Sequence, residues 1–256
     1  MPRYFIEVTY KGTRYSGFQI QENAVTIQSE VKKALFTFFR QSFQLTGSSR
    51  TDAGVHALQN FFHFDTDISM QQQQLYHLNA ILPNDIVIKN ILPVVNTAHC
   101  RFDALSREYV YYIYQNKNPF VEDRAWYYPY AIDFAMLNEA AAIVFQHDDF
   151  TSFSKRNTQV NNFICKIETS FWEEKDGFLI YHVKANRFLR GMVRGLVGTM
   201  LKVAREKVSI GEFKSIIEAR DCTRADFKTP AQGLFLKEVS YPARIFLQST
   251  HDISGK

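Results

Sequence analysis

The stretch Gly47–Ala57 reads GSSRTDAGVHA, and its flanks decide what kind of fold holds it. Before it, Phe43 and Leu45 alternate with Ser42, Gln44 and Thr46; after it, Asn60–Asp65 reads NFFHFD, aromatic and compatible with a pleat. Both flanks favour a sheet, so the stretch is a loop between two strands. It is longer than the Asn-Gly type of join that a tight hairpin needs. It also carries a base, Arg50, two residues from an acid, Asp52, and glycine that permits positive φ or the close approach of another backbone. A loop with more chemistry than its turn requires is a functional candidate.

Working outward, the pattern predicts a strand at 3–10, a helix at 25–39 with Val25, Ile27, Val31, Leu35, Phe38 and Phe39 on its apolar face, strands near 42–46 and 58–65, a helix near 70–81 and a strand at 86–92. That order is βαββαβ. After Pro93 and an irregular segment to Ala104 it repeats with one extra helix: a strand at 107–115, a helix at 134–146, strands near 162–173 and 177–185 joined by a Lys-Asp-Gly turn, helices at 187–205 and 210–219, and a strand at 233–240. The expected class is α+β: two ferredoxin-like or RRM-like βαββαβ units, 1–104 and 105–256, joined through one extended mixed sheet with helices packed on it. The tyrosines 109, 111, 112 and 114 of REYVYYIY cover both faces of their strand, as in a central strand packed on both sides, and aromatics on a sheet are also platforms for bases.

Composition narrows the function classes. With 256 residues, 46% hydrophobic and 15% aromatic, the chain can bury a substantial core. Cys100, Cys165 and Cys222 are odd in number and outside any C-x-x-C spacing, which argues against a disulfide framework and a zinc site and fits a reducing cytoplasm. His56 and His63 lie seven apart without a third ligand at a convincing spacing, so no metal is expected. The opening MPRYFIEVTYKGT reads as a strand and not as a signal stretch, and no apolar run has the length of a membrane span. Motifs for nucleoside triphosphates, dinucleotides and the hydrolase nucleophile elbow are missing. Net charge is +4, with nine Lys/Arg against eight Asp/Glu in residues 1–104, so charge informs only locally.

The local charge lies between Lys184 and Lys207, where seven basic residues face one acid, Glu206. Leu189, Met192, Val193, Leu196, Val197, Met200 and Leu201 recur as a helical apolar face, and Arg187, Arg190 and Arg194 recur at spacings of three and four. One reading is a surface helix with solvated charges. Gly191, Gly195 and Gly198 oppose it: each costs about 1 kcal/mol relative to Ala in a helix, so something approaches closely, either another element of the core or a ligand backbone. An arginine stripe beside small residues suits phosphate.

Six segments in register, RTDAGVHA (50–57), LNAILPNDI (78–86), RFDALSREYVYYIY (101–114), DFTSFS (149–154), KANRFLRGMVRGLVGTML (184–201) and GLFLKEVSY (233–241), resemble the tRNA pseudouridine synthase A family over nearly the whole chain. The resemblance implies the same two-unit fold and a cofactor-free isomerase that turns uridine into pseudouridine at positions 38, 39 and 40 of the tRNA anticodon arm, as a cytoplasmic homodimer. It implies Asp52 as the catalytic carboxylate, kept ionised and oriented by Arg194. Tyr109 packs against the target base, with Leu234 on the other side. Arg50 fills the space left by the flipped-out nucleotide, and Arg101 and Arg107 meet backbone phosphate, as the stripe residues Arg187 and Arg190 would. The chain departs from the family at Ser49 (usually Gly), Lys11 (usually Asp) and Phe18 (usually Trp). The alternatives are the same reaction on another RNA uridine, or an RNA-binding protein that keeps the scaffold without turnover.

Overall fold

In the computed structural model, residues 1–156 and 160–247 are described. The chain divides into two compact units: Met1–Leu105 with the stretch that begins at Glu238, and Ser106–Lys237.

The first unit runs β1 (Arg3–Tyr10), α1 (Ile27–Phe39), β2 (Thr46–Gly47), β3 (His56–Asp65), α2 (Gln74–Ile81) and β4 (Ile86–Val94). β1 pairs antiparallel with β4 on one side and β3 on the other, and β2 pairs antiparallel with β3, so the order is β4-β1-β3-β2. This is the arrangement expected of a split βαβ unit. Ile6 and Val8 of β1 are fully buried, as is Phe62, the register partner of Ile6. On α1, Ile27, Val31, Ala34 and Leu35 are buried at helical spacing. Thr26 and Ser29 start that helix with a reciprocal capping box at 3.2 and 2.9 Å. The opposite sheet face is also covered, because Tyr241 packs edge-on against Phe5 and Phe61 at 5.3 and 5.1 Å.

The second unit runs β5 (Ser106–Tyr114), β6 (Trp126–Tyr127), α3 (Phe134–Phe145), β7 (Ile167–Lys175), β8 (Phe178–Ala185), α4 (Met192–Val203), α5 (Ile210–Glu218) and β9 (Leu234–Ser240). Its order, β9-β5-β8-β7, repeats that of the first unit, with β6 pairing parallel to β5. The Lys-Asp-Gly turn joins β7 to β8 with Asp176 and Gly177 both at positive φ, +51° and +78°, as a two-residue hairpin requires. Since β9 begins in this unit and ends in the first, the nine strands count as one sheet and the class is α+β, as the sequence predicts. Among the described residues no helix is long and apolar enough to cross a membrane.

The strand expected near 162–173 runs Ile167–Lys175, the helix expected near 70–81 starts at Gln74, and β6 was not expected; two further elements differ more sharply from their sequence reading. The strand near 42–46 shrinks to Thr46–Gly47: Phe43 and Leu45 are buried in alternation, but the Leu45 carbonyl accepts from the Gln28 side chain at 2.8 Å instead of from a neighbouring strand. The helix predicted at 187–205 begins only at Met192. Asn186 still pairs with Lys166, its N–H donating to the Lys166 carbonyl at 3.1 Å; the Arg190 carbonyl accepts from the Lys155 N–H at 3.0 Å, and Gly191 turns left-handed at φ +77°. Arg187 and Arg190 therefore lie in the approach to the helix and form no helical stripe with Arg194.

Candidate active site

The residues expected to act are built separately in the two units. In the first, the loop 47–57 is held from beneath by a buried polar network. Asn60 on β3, with no exposure, donates through Nδ2 to the Ser49 carbonyl at 2.8 Å and to the Tyr10 phenol oxygen at 3.1 Å, and its Oδ1 accepts from the Phe61 N–H at 2.9 Å. Tyr10 in turn shares a buried 2.8 Å hydrogen bond with the Thr51 hydroxyl. Ser49 and Thr51 are thus pinned, Arg50 projects between them exposed, and Asp52 follows half-buried. The Val55 N–H donates to the Asp52 carbonyl at 3.2 Å, closing a turn in which Gly54 takes φ +80°.

The chain after β1 packs into this turn more closely than any side chain allows. The Gly12 N–H donates to His56 Nδ1 at 3.0 Å, and a Cβ at Gly12 would stand 1.9 Å from the Val55 carbonyl oxygen. Phe18 lies flat on Phe62, 4.4 Å between centroids, and fills the space that a side chain at Gly47 would need. Ser49 is not left-handed, so its backbone does not call for glycine. Tyr241 joins the loop to the turn that carries Arg101: its phenol bonds to the Ser48 hydroxyl at 2.9 Å and to the Cys100 carbonyl. Arg101 is exposed, with its guanidinium 5.6 Å from the centroid of the Phe102 ring.

Under that anchor, His63 Nδ1 accepts from the Cys100 N–H at 3.3 Å and lies 3.2 Å from the Cys100 thiol, which donates to the Thr46 carbonyl at 3.1 Å. Both contacts suit a neutral imidazole. Burial, aided by the nearby His99 and Arg3, pushes its pKa down to about 4 from 6.5. The unfolded chain therefore binds a proton that the folded one refuses, and stability is full above pH 6.5 and falls as pH drops toward 4, by up to about 3 kcal/mol. Urea unfolding at pH 7 and pH 4.5 should give a smaller pH-dependent loss for His63→Gln than for wild type; equal losses would show that His63 does not titrate this way.

In the second unit, β5 carries Arg107 and Tyr109. The Arg107 guanidinium donates to the Asn186 carbonyl at 3.1 Å, and Tyr109, nearly buried, meets the edge of Phe188 at 4.9 Å. Both thus touch the segment that leads to Arg190, which is exposed. Arg187 is half-buried in the same segment; its charge opposes the burial that pushes the Cys165 thiol up to about 12. Arg194, on the first turn of α4, donates through Nε to the Thr229 carbonyl at 2.7 Å. The glycines of α4 serve the same contact: a Cβ at Gly195 would meet Phe227 at 2.9 Å and one at Gly198 the Asp226 carbonyl at 2.5 Å. What approaches this helix is another part of the chain, the partly buried segment 226–229. Leu234 is buried at the start of β9, just after Gly233, where a Cβ would stand 2.5 Å from the Tyr111 ring.

Asn60, Tyr10, Gly12 and Tyr241 escaped the sequence reading. Asn60 is a polar residue next to Gln59 and just before Phe61 and Phe62 on β3; the roles of all four are visible only once the chain is folded.

The family model described as tRNA pseudouridine synthase matches residues 6–103 and 144–242. Curated relatives named tRNA pseudouridine synthase A include those of Porphyromonas gingivalis, 44% identical over 96% of this chain and 100% of the relative, and Bacteroides fragilis, 43% over 95% and 98%. That of Azobacteroides pseudotrichonymphae is 41% identical over 96% of this chain and 99% of its own length. Matches of this extent cover both the loop around Asp52 and the helix that carries Arg194, and the chain belongs to the tRNA pseudouridine synthase family.

Proposed function

We propose that the chain isomerises uridine to pseudouridine in tRNA with Asp52 as the catalytic carboxylate. The observation that carries this is the loop itself: a buried network spends two hydrogen bonds, from Asn60 to Ser49 and between Tyr10 and Thr51, on fixing the residues that flank the exposed Arg50 and lead into the half-buried Asp52. The reaction breaks the N-glycosidic bond, turns the base and rejoins C1′ to C5, while the C5 hydrogen leaves to water and N1 regains a proton. It needs neither redox chemistry nor a cofactor. Asp52 serves as a nucleophile or as the charge that stabilises the detached sugar.

In this reading Arg194 orients Asp52, its own reach limited by the Thr229 carbonyl. Tyr109 stacks against the extruded base and assists removal of the C5 proton, with Leu234 opposite. Arg50 fills the vacated space in the RNA, and Arg101, Arg107, Arg187 and Arg190 take backbone phosphates. The targets are positions 38, 39 and 40 of the anticodon arm, and the protein works in the cytoplasm as a homodimer. Exposed aromatics, Tyr76 at 77%, Phe102 at 73% and Phe120 at 80%, are suited to a subunit interface.

Mapping pseudouridine in total RNA with and without the gene tests substrate and position together. Loss confined to positions 38–40 of tRNAs is expected; loss at another RNA uridine would move the target, and no loss would leave an RNA-binding role. Light scattering should return about 60 kDa for the free protein; a mass near the 29.8 kDa of one chain would remove the dimer.

A further inference from the structure

A cavity of about 230 Å³ in the second unit is lined by Trp126 and Tyr128 on one side and by the end of α4 and the segment 226–229 on the other. Four cations reach its wall, Lys202, Arg205, Lys207 and Lys228, against one carboxylate, Asp226. That carboxylate is already engaged: Oδ2 lies 3.0 Å from Lys202 Nζ, and Oδ1 accepts from the Lys228 N–H at 2.9 Å. Among the described residues, Arg205, Lys207 and Lys228 have no carboxylate at ion-pair distance. Arg205 is instead held by aromatics, its guanidinium 3.9 Å from the centroid of the Tyr130 ring and donating to the Tyr128 phenol oxygen at 3.3 Å.

A second observation points to a ligand. Thr229, which lines the cavity, is 1% exposed, and its hydroxyl has no hydrogen-bond partner among the described residues. A buried hydroxyl left unpaired costs free energy that its own fold does not recover. The two sides of this residue differ in use: its carbonyl accepts from Arg194, while its hydroxyl is left over.

We propose that this cavity is a phosphodiester site that takes a backbone phosphate of the tRNA, with Thr229 donating a hydrogen bond and Arg205, Lys207 and Lys228 supplying the charge. A preformed guanidinium on an aromatic platform, two exposed lysines that lose little by pairing, and a neutral donor suit a phosphate oxygen set. Inorganic phosphate shares that chemistry but would not use the rim lysines to read a polyanion. The site rests on tRNA being the substrate, and it extends recognition beyond the groups assigned to the chemical step. Through Thr229 it also abuts the carbonyl that holds Arg194, so an occupied site steadies the acceptor of that side chain.

The test measures affinity of the full-length protein for tRNA across salt concentrations, with thermal melting in parallel. The double variant Lys207→Gln/Lys228→Gln should bind tRNA roughly tenfold more weakly at 0.1 M salt, with a salt slope shallower by about 1 to 2. Thr229→Val should weaken binding by about threefold or more while the melting temperature holds or rises, because an unpaired buried hydroxyl is replaced by an isosteric methyl. A fall in stability with unchanged affinity would mean that the hydroxyl serves only the fold. The control Lys33→Gln/Lys214→Gln removes the same charge elsewhere; an equal loss there would reduce the effect to total charge and overturn the site. Titration of wild type and Thr229→Val with inorganic phosphate forms the other arm. Phosphate binding lost in Thr229→Val while tRNA binding is kept would assign the cavity to a free anion and also overturn the proposal. A wild type that binds no tRNA defeats the substrate reading itself, and the proposal falls with it, an outcome distinct from variants that behave as wild type.

Discussion

Asp52→Asn is expected to abolish pseudouridine formation, with the rate of the chemical step falling by about 10⁴-fold or more, the scale on which loss of a catalytic nucleophile acts. The substitution keeps size and hydrogen-bonding capacity and removes only the charge. tRNA affinity should be retained or rise slightly, since an acid leaves a surface that in the proposed function meets phosphate. The assay uses tRNA tritiated at C5 of uridine, because a carbon–carbon bond at C5 must release that hydrogen to water. Wild type should release it and Asp52→Asn should not, at comparable affinity. If wild type bound tRNA well and released nothing, the non-catalytic reading would replace the enzyme.

Gly12→Ala should be nearly as damaging by a different route. The new methyl would lie 1.9 Å from the Val55 carbonyl oxygen and 2.6 Å from its carbon, and both are backbone atoms of the turn that begins at Asp52. No flexible side chain can yield, so either the turn moves or the chain after β1 does, at a cost of about 3 kcal/mol and roughly 10 °C in melting temperature. A displacement near 1 Å at Asp52 would cost about 10²-fold in turnover besides. Gly211→Ala provides the contrast: on α5 a Cβ meets nothing within 4 Å, and alanine there should be neutral or stabilise by up to about 1 kcal/mol. If Gly12→Ala melted and turned over like wild type, the close approach of the two backbones would have no role in holding the loop.

These two positions also mark what could be read in advance. The period-two runs around residues 47–57 and the 3.6-period run of 27–39 depend on local burial alternation, a property each segment carries by itself; β3 and α1 appear within two residues of their expected bounds. The repeated βαββαβ order followed from the same signals. Asp52 stood out in the sequence because it lies two residues from Arg50 in a loop longer than a tight turn needs, and the structure places it half-buried at the start of a turn closed by the Val55 N–H.

Local signals failed where one backbone answered to a distant partner. The basic run at 187–201 has helical spacing throughout, yet Asn186 pairs with Lys166, Arg190 accepts from Lys155 and Gly191 turns left-handed, so the helix starts at Met192 and the arginine stripe dissolves. Likewise the glycines of α4 could announce a close approach but not its source, the segment 226–229. By itself, then, the sequence determined the class, most of the order of elements and the family, and it singled out the loop 47–57 as the candidate site, since these rest on periodicity and on residues adjacent in the chain. Tertiary structure decided what supports that loop and where α4 begins. It also decided what surrounds Thr229, because those contacts join residues from 11 up to 193 positions apart and no local pattern encodes which donor meets which acceptor.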